Sequence, residues 1–329
     1  MNIAYLGNGS FGVPTLQEIH DSSNHILSVV TRPDRPEGRG RKLAPSPVKV
    51  AALELGLPVL EYGNLKDAGT QAQFQSLKAD LWVVVAFPII PESFLEIPPQ
   101  GIVNLHASLL PRYRGAAPVQ WAIIQGESVT GVTTFFIDAG VDTGLICLQR
   151  EVSIDPDETA GELSERLKYI GAKAMLETID LVESGEAPRI SQDSSVSSPA
   201  PKLDKSDGEL DWNSGAVEVI NRIRGLNPWP GSFTYFNQER ILVLKARAFL
   251  DTDEIQDAVA SHPPGSIAGF LKDGSPLVVA GDGPLIVLQK LQRAGRQPAN
   301  AADVARGLRV KNGDRFHSLD EIGSTGEKD

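Results

Sequence analysis

The sequence predicts an α/β protein: a doubly wound, mostly parallel sheet followed by a smaller β-barrel. Three observations carry that expectation. Over residues 2–183, strand-like apolar runs alternate with helix-like segments, the pattern of a sheet assembled from strand–helix–strand units. Over 184–205 the composition turns Ser- and Pro-rich, as in a linker. Beyond it, several short strands separated by Gly and Pro turns suit a small barrel. At 329 residues the chain is long enough for two domains. The expected boundaries are a first domain over 1–184, a linker over 185–205, a second domain over 206–318 and a polar tail over 319–329.

The first strand is Asn2–Gly7 (NIAYLG), and a literal G-x-G-x-x-G (Gly7, Gly9, Gly12) follows at once. A helix then starts near Val13-Pro14, since proline is tolerated in a first helical turn. This is the context of a dinucleotide fingerprint. However, any tight strand-to-helix turn needs glycine. The acidic residue that should close the second strand is also missing, because His25–Thr31 runs into Arg32-Pro33-Asp34.

Residues 32–47 (RPDRPEGRGRKLAPSP) hold five basic side chains, Arg32, Arg35, Arg39, Arg41 and Lys42, among four prolines and two glycines. Such a stretch is expected to be an exposed loop without regular structure, suited to gripping phosphates. A helix over 48–55, a strand over 57–60 and a helix over 67–77 come next. The run 80–87 (DLWVVVAF) is continuously apolar, as in a strand covered on both faces.

Residues 101–118 (GIVNLHASLLPRYRGAAP) carry the chemistry. Ile102, Val103 and Leu105 make the local pattern a strand, so Asn104 and His106, two positions apart, project from one face. They sit at the strand's carboxyl end, the edge at which parallel α/β sheets bind ligands. A lone histidine at a strand end is more often structural than catalytic; the rest of the chain raises the catalytic reading. A helix over 119–125, a strand over 131–137, a loop holding Asp138 and Asp142, a strand over 145–154 and a long amphipathic helix over 159–183 complete this half. Either aspartate of that loop could be turn chemistry, and the residues alone do not choose between them.

In the second half, a helix over 215–226 leads into Asn227-Pro-Trp-Pro-Gly231 and short strands at 233–236, 240–249, 265–271, 277–280 and 285–291. Residues 290–311 hold six basic side chains against Asp303 alone, a candidate phosphate-contacting face. Trp121, Trp212 and Trp229 are expected to be packing residues.

Composition limits what the chain does. One cysteine, Cys147, precludes an internal disulfide and argues against a cysteine zinc site. The five histidines form no HExxH or HxH pair, so no metal is expected. With no signal-like N-terminus and no apolar run of spanning length, a cytoplasmic protein with no membrane role is expected. The net charge of −11 argues against indiscriminate nucleic-acid binding. The balance is uneven: residues 1–204 carry 16 basic and 25 acidic side chains, residues 205–318 carry 14 and 13.

NLHASLLPRYRGAAP, DRPEGRGRKLAPSPVK, the VDTG turn and NPWPG together resemble the family of enzymes that transfer a formyl group from 10-formyltetrahydrofolate. The likeness runs over nearly the whole chain. The Asn-x-His and SLLP core is shared by members acting on small amines. The GRGRK loop and the NPWPG-bearing domain are more selective and point to members whose acceptor is methionyl-initiator tRNA.

The resemblance implies a Rossmann-like first domain that binds folate and an OB-like barrel that contacts tRNA. It implies a catalytic trio at Asn104, His106 and Asp142, which makes Asp138 the structural aspartate. It implies a folate anchor at Ser108, Leu109, Leu110 and Pro111, and a tRNA-approaching loop with Arg32, Arg35, Arg39, Arg41 and Lys42. The chain departs from the family pattern at Asn8–Phe11 and at Phe87-Pro88, on the folate side. The fingerprint glycines then serve the turn.

The expected reaction is direct attack of the α-amine on the formyl carbon through a tetrahedral oxyanion, without a covalent enzyme intermediate, by a protein expected to be a monomer. Three rivals are weighed. A formyltransferase for a small sugar or nucleotide amine lacks a reason for the basic loop. A formyltetrahydrofolate hydrolase lacks one for the second domain. A non-catalytic tRNA- or nucleotide-binding protein lacks one for the trio.

Overall fold

The computed structural model describes residues 1–37, 42–249 and 262–319. They divide into two compact units: 1–118, 129–153 and 163–201 form the first, and 119–128, 154–162 and the chain from 202 onward form the second. In chain order the elements are β1 (Asn2–Gly7), α1 (Val13–His20), β2 (His25–Thr31), β3 (Arg35–Glu37), β4 (Lys42–Ala44), α2 (Pro47–Glu54), β5 (Val59–Glu61), α3 (Ala68–Gln75) and β6 (Leu81–Val85). Next come β7 (Ile102–His106), β8 (Arg114–Gly115), α4 (Pro118–Ile124), β9 (Val129–Phe136), β10 (Ile146–Ser153), α5 (Ala160–Ser184) and β11 (Pro199–Ala200).

The first unit is organised by a seven-stranded sheet in the order β10-β9-β7-β6-β1-β2-β5. The strands from β5 to β7 run parallel, and β9 and β10 are antiparallel. From β1 the chain winds outward to β2 and β5, then returns to build β6 and β7 on the other side. That reversal is the doubly wound topology, and it places the ligand-binding crevice at the carboxyl ends of the central strands.

The apolar run around Trp82 is β6, buried throughout. Trp82, Phe74 and Phe94 meet edge to face, with centroids 5.0–6.2 Å apart. Helix starts are capped as their sequences suggest: Ser46 accepts from Lys49 N–H, and Asp67 from Gly69 and Thr70 N–H. In the glycine turn after β1, a Cβ on Gly12 would lie 2.6 Å from the Tyr5 hydroxyl, so that glycine answers a packing demand.

Two stretches differ from their expected irregularity. Arg35–Glu37 and Lys42–Ala44 pair antiparallel, with Arg35 opposite Ala44 and Glu37 opposite Lys42. The loop reading followed from Gly and Pro content, yet Pro36 sits on a two-stranded ribbon, where an edge position tolerates its missing donor. Arg39 and Arg41 lie outside the described residues. In the stretch read as a linker, Pro199–Ala200 pairs parallel with Arg114–Gly115, and Ile190 bridges to Ile146.

The second unit contains α6 (Ala216–Gly225), β12 (Ser232–Phe236), β13 (Glu239–Ala248), β14 (Ile267–Phe270), β15 (Pro276–Val279), β16 (Leu285–Arg293), β17 (Ala299–Asn300) and α7 (Ala301–Leu308). Its antiparallel sheet runs β12-β13-β16-β15-β14, with β17 on β16. The chain at 315–317 bridges both end strands: His317 pairs with Tyr235 of β12, and Arg315 pairs with Ser266, next to β14. One short segment thereby pairs at both ends of the sheet, where unpaired edges would otherwise stand.

Trp212 is the packing residue expected, stacked on Phe316 with its Nε1–H donating to Thr234 Oγ1. Trp229 is not: 49% of it is exposed. Helix α7 lies in the stretch whose charge suggests a phosphate-contacting face, and it buries Ala301, Val304 and Ala305 at helical spacing. No helix among the described residues is long and apolar enough to cross a membrane.

Candidate active site

Strand β7 pairs with β6 on one side and β9 on the other, which fixes its two faces. Leu105 faces α5 so closely that a Cβ on Gly171 would lie 2.7 Å from its Cδ2. Asn104 and His106 therefore share the opposite face, at the carboxyl edge. Asn104 is half-buried and His106 is 6% exposed.

The imidazole is anchored by a main-chain group that sequence reading could not supply. His106 Nε2 lies 2.8 Å from the Tyr113 carbonyl oxygen. A carbonyl only accepts, so Nε2 carries the proton in that contact and Nδ1 is the nitrogen left for chemistry. Nδ1 lies 3.7 Å from Asp142 Oδ2, an ion-pair distance beyond hydrogen-bond length. Asp142 Oδ2 itself accepts from Gly115 N–H at 2.8 Å. Tyr113, Arg114 and Gly115 thus hold the ring from one side and the carboxylate from the other. The Tyr113 carbonyl is the group in hydrogen-bond contact with the ring.

The two aspartates of the 138–144 loop separate cleanly. Asp138 Oδ1 accepts from Gly140 N–H and from the Thr143 hydroxyl, the work of a turn residue. Asp142, with φ of +52°, stands in the left-handed region and turns its carboxylate toward His106. Tyr113 has φ of +60°. Such a backbone costs a non-glycine residue roughly 1–2 kcal/mol, so surrounding bonds must hold it.

The SLLP segment is built into the fold. Ser108 is fully buried and its hydroxyl donates to the Arg112 carbonyl at 2.6 Å. Leu110 packs with Phe135 and Ile146. Thr133 of β9 donates to the Ser108 carbonyl and accepts from Leu110 N–H, and Gln149 of β10 donates to the Leu110 carbonyl. Leu109 and Pro111 remain half-buried.

On the β3–β4 ribbon, Arg35 and Lys42 are exposed, and the register places both on one face. Arg32 is half-buried; its N–H donates to Asn8 Oδ1 and its guanidinium to the Pro33 carbonyl. Lys49 of α2 binds Asp34 and Glu61, and these hydrogen bonds hold its ammonium above the usual lysine range.

Comparison with known proteins defines the class. Residues 1–179 match the formyl transferase family, and residues 202–309 match the formyl transferase C-terminal domain. The chain belongs to the formyl transferase family and is an enzyme. Among its relatives are methionyl-tRNA formyltransferases. That of Geobacter metallireducens is 42% identical over 317 residues, 96% of this chain and 98% of the relative. That of Alkaliphilus oremlandii is 40% identical over 314 residues, 95% of this chain and 98% of the relative.

Solved structures share the fold. The N-formyltransferase of Helicobacter canadensis, in complex with folinic acid and dTDP-3-aminofucose, superposes with a TM-score of 0.64 at 18% identity, covering 88% of this chain and 98% of its own. HypX of Aquifex aeolicus, in complex with tetrahydrofolic acid, gives 0.62 at 14% identity, covering 95% of this chain and 48% of its own.

Proposed function

We propose that this chain transfers the formyl group of 10-formyltetrahydrofolate to the α-amino group of methionyl-initiator tRNA, in support of translation initiation. The observation that carries the chemistry is the sharing of one strand edge by Asn104 and His106, with Asp142 Oδ2 at 3.7 Å from the imidazole. The acceptor is supported by full-length relatives named methionyl-tRNA formyltransferase and by the exposed basic ribbon.

Formyl transfer to an amine passes through a tetrahedral intermediate bearing an oxyanion, and it moves one proton from the attacking amine to the departing folate nitrogen. The donor set on β7 fits both needs. The Asn104 carboxamide donates to the oxyanion as charge develops. His106, with Nε2–H committed to Tyr113, presents Nδ1 to receive the amine proton and then to deliver it. Asp142 stabilises the imidazolium formed between those two transfers. Attack is direct: the Ser108 hydroxyl, two residues from His106, is buried and bonded to a carbonyl, which removes that serine from consideration as nucleophile. In this reading residues 1–184 form the folate-binding catalytic domain and 206–318 the tRNA-contacting barrel. Within SLLP, folate contact falls to Leu109, Pro111 and main-chain groups, because Ser108 and Leu110 spend their side chains inside.

The test is formyl transfer from 10-formyltetrahydrofolate with charged initiator tRNA, free methionine and water as competing acceptors. Rapid formylation of the charged tRNA is expected, with no formyl-enzyme adduct on acid quench. Folate turnover without tRNA formylation would overturn the acceptor, and a trapped adduct would overturn direct attack.

A further inference from the structure

We propose that Gln192 is a positioning residue that holds the His106–Asp142 pair in register; this rests on the reaction proposed above. A glutamine carboxamide offers two N–H donors and one oxygen with two lone pairs. Gln192 uses all of them at once. Its Nε2 donates to the Asp142 carbonyl at 2.9 Å and to the Gly144 carbonyl at 2.8 Å. Its Oε1 accepts from Arg114 Nε at 3.1 Å and from Arg114 Nη2 at 2.7 Å.

The two segments joined this way are the two walls of the pair. One is the loop that carries Asp142. The other is the residue between Tyr113, whose carbonyl holds His106 Nε2, and Gly115, whose N–H holds Asp142 Oδ2. Both walls contain a left-handed non-glycine residue, Asp142 and Tyr113, which needs such restraint. The neighbourhood of Gln192 repeats the device: Ser198 Oγ accepts from Tyr113 N–H at 2.9 Å, and Pro199–Ala200 pairs with Arg114–Gly115. The Ser/Pro-rich stretch thus braces the pair from outside, and Gln192 touches both walls.

The 3.7 Å separation of Nδ1 and Oδ2 makes the bracing consequential. No direct hydrogen bond locks carboxylate to imidazole, so their spacing is set by what holds each of them. Loosening Gln192 lets Asp142 drift, weakens its support of the imidazolium and leaves the substrate-facing groups in place.

The experiment uses Gln192→Met, which keeps length and volume but removes all four hydrogen bonds, and Gln192→Asn, which keeps the carboxamide one methylene short and serves where the Met variant loses its fold. Far-UV circular dichroism checks folding. We expect kcat to fall about 10- to 100-fold, with KM for folate and tRNA within about threefold of wild type. The His106 ring resonances, followed by NMR and assigned with a His106→Asn variant, should shift, because the carboxylate facing Nδ1 has moved. The ring signal reads the pair without any substrate, so it tests Gln192 even if the wild-type protein fails to formylate. A folded variant with unchanged kcat, or unmoved ring resonances, would overturn the positioning role. An inactive wild type with displaced ring resonances would overturn only the reaction.

Discussion

The edge of β7 and the β3–β4 ribbon are built in opposite ways. At the edge, His106 is buried, its ring is held by a main-chain carbonyl, and the facing carboxylate is held by a main-chain N–H. On the ribbon, Arg35 and Lys42 project from one face of a three-residue strand pair into solvent. Position is fixed in the first region and charge is displayed in the second. Proton transfer demands geometry within fractions of an ångström, whereas phosphate attraction tolerates side-chain freedom and depends on salt. Substitutions at the edge should therefore register in kcat and substitutions on the ribbon in KM.

The largest effect belongs to the edge. Asn104→Ala and His106→Ala are each expected to lower kcat about 10²- to 10⁴-fold, with little change in either KM. Single-turnover formylation with saturating charged tRNA measures this directly. A variant of either residue that kept kcat but lost folate affinity would move that residue from chemistry to binding and undo the contrast. Asp142→Asn comes next, with a loss in kcat of about 10²-fold, since the neutral amide no longer supports imidazolium.

The basic stretch that includes the ribbon should respond on a smaller scale and on a different axis. Arg39→Ala and Arg41→Ala, in the same basic stretch, are expected to raise KM for charged tRNA about 3- to 10-fold at constant folate KM. The salt dependence should fall with each phosphate contact removed. Equal effects on both substrates would take the stretch off the acceptor side.

The same contrast explains what could be read from sequence. Period and alternation carried the strands of both units, because burial writes itself into residue type; β6 and β7 are examples. The shared face of Asn104 and His106 followed from strand geometry alone. The partners that complete the candidate site did not follow. Tyr113 contributes a carbonyl and Gly115 an N–H, and a main-chain group leaves no mark on residue type. Gln192 lies 50 residues from Asp142, in a stretch whose Ser and Pro content speaks only of local propensity. The choice of Asp142 over Asp138 needed the family resemblance, and the hydrogen bonds that commit Asp138 to its turn appear only in three dimensions. The ribbon was missed for a related reason: strand pairing at 35–44 is decided by register between two short segments, which Gly and Pro counts do not report.

Charge counting alone does not separate paired from unpaired charge over residues 290–311. The six basic side chains there look like a second phosphate face, comparable to the ribbon. Two of them are already committed: Arg293 binds Glu239 through Nε and Nη2, at 2.8 and 2.7 Å, and Arg306 binds Asp303 at 2.9 Å. Arg293→Ala should therefore change KM for tRNA less than about twofold, in contrast to Arg39→Ala. Its effect is expected in stability, with a defined pH sign. The Arg293 hydrogen bonds hold the Glu239 carboxyl below its usual 4.5. A carboxylate whose folded value is depressed stabilises the fold above its unfolded value, and that contribution is lost as pH falls through the folded one. Comparing thermal midpoints of wild type and Glu239→Gln, we expect a deficit of about 1–3 °C at pH 7 that shrinks as the pH falls below the usual carboxylate range. A deficit that persists in acid would assign the effect of Glu239 to packing, and a tRNA effect of Arg293→Ala as large as that of Arg39→Ala or Arg41→Ala would erase the distinction between displayed and committed charge.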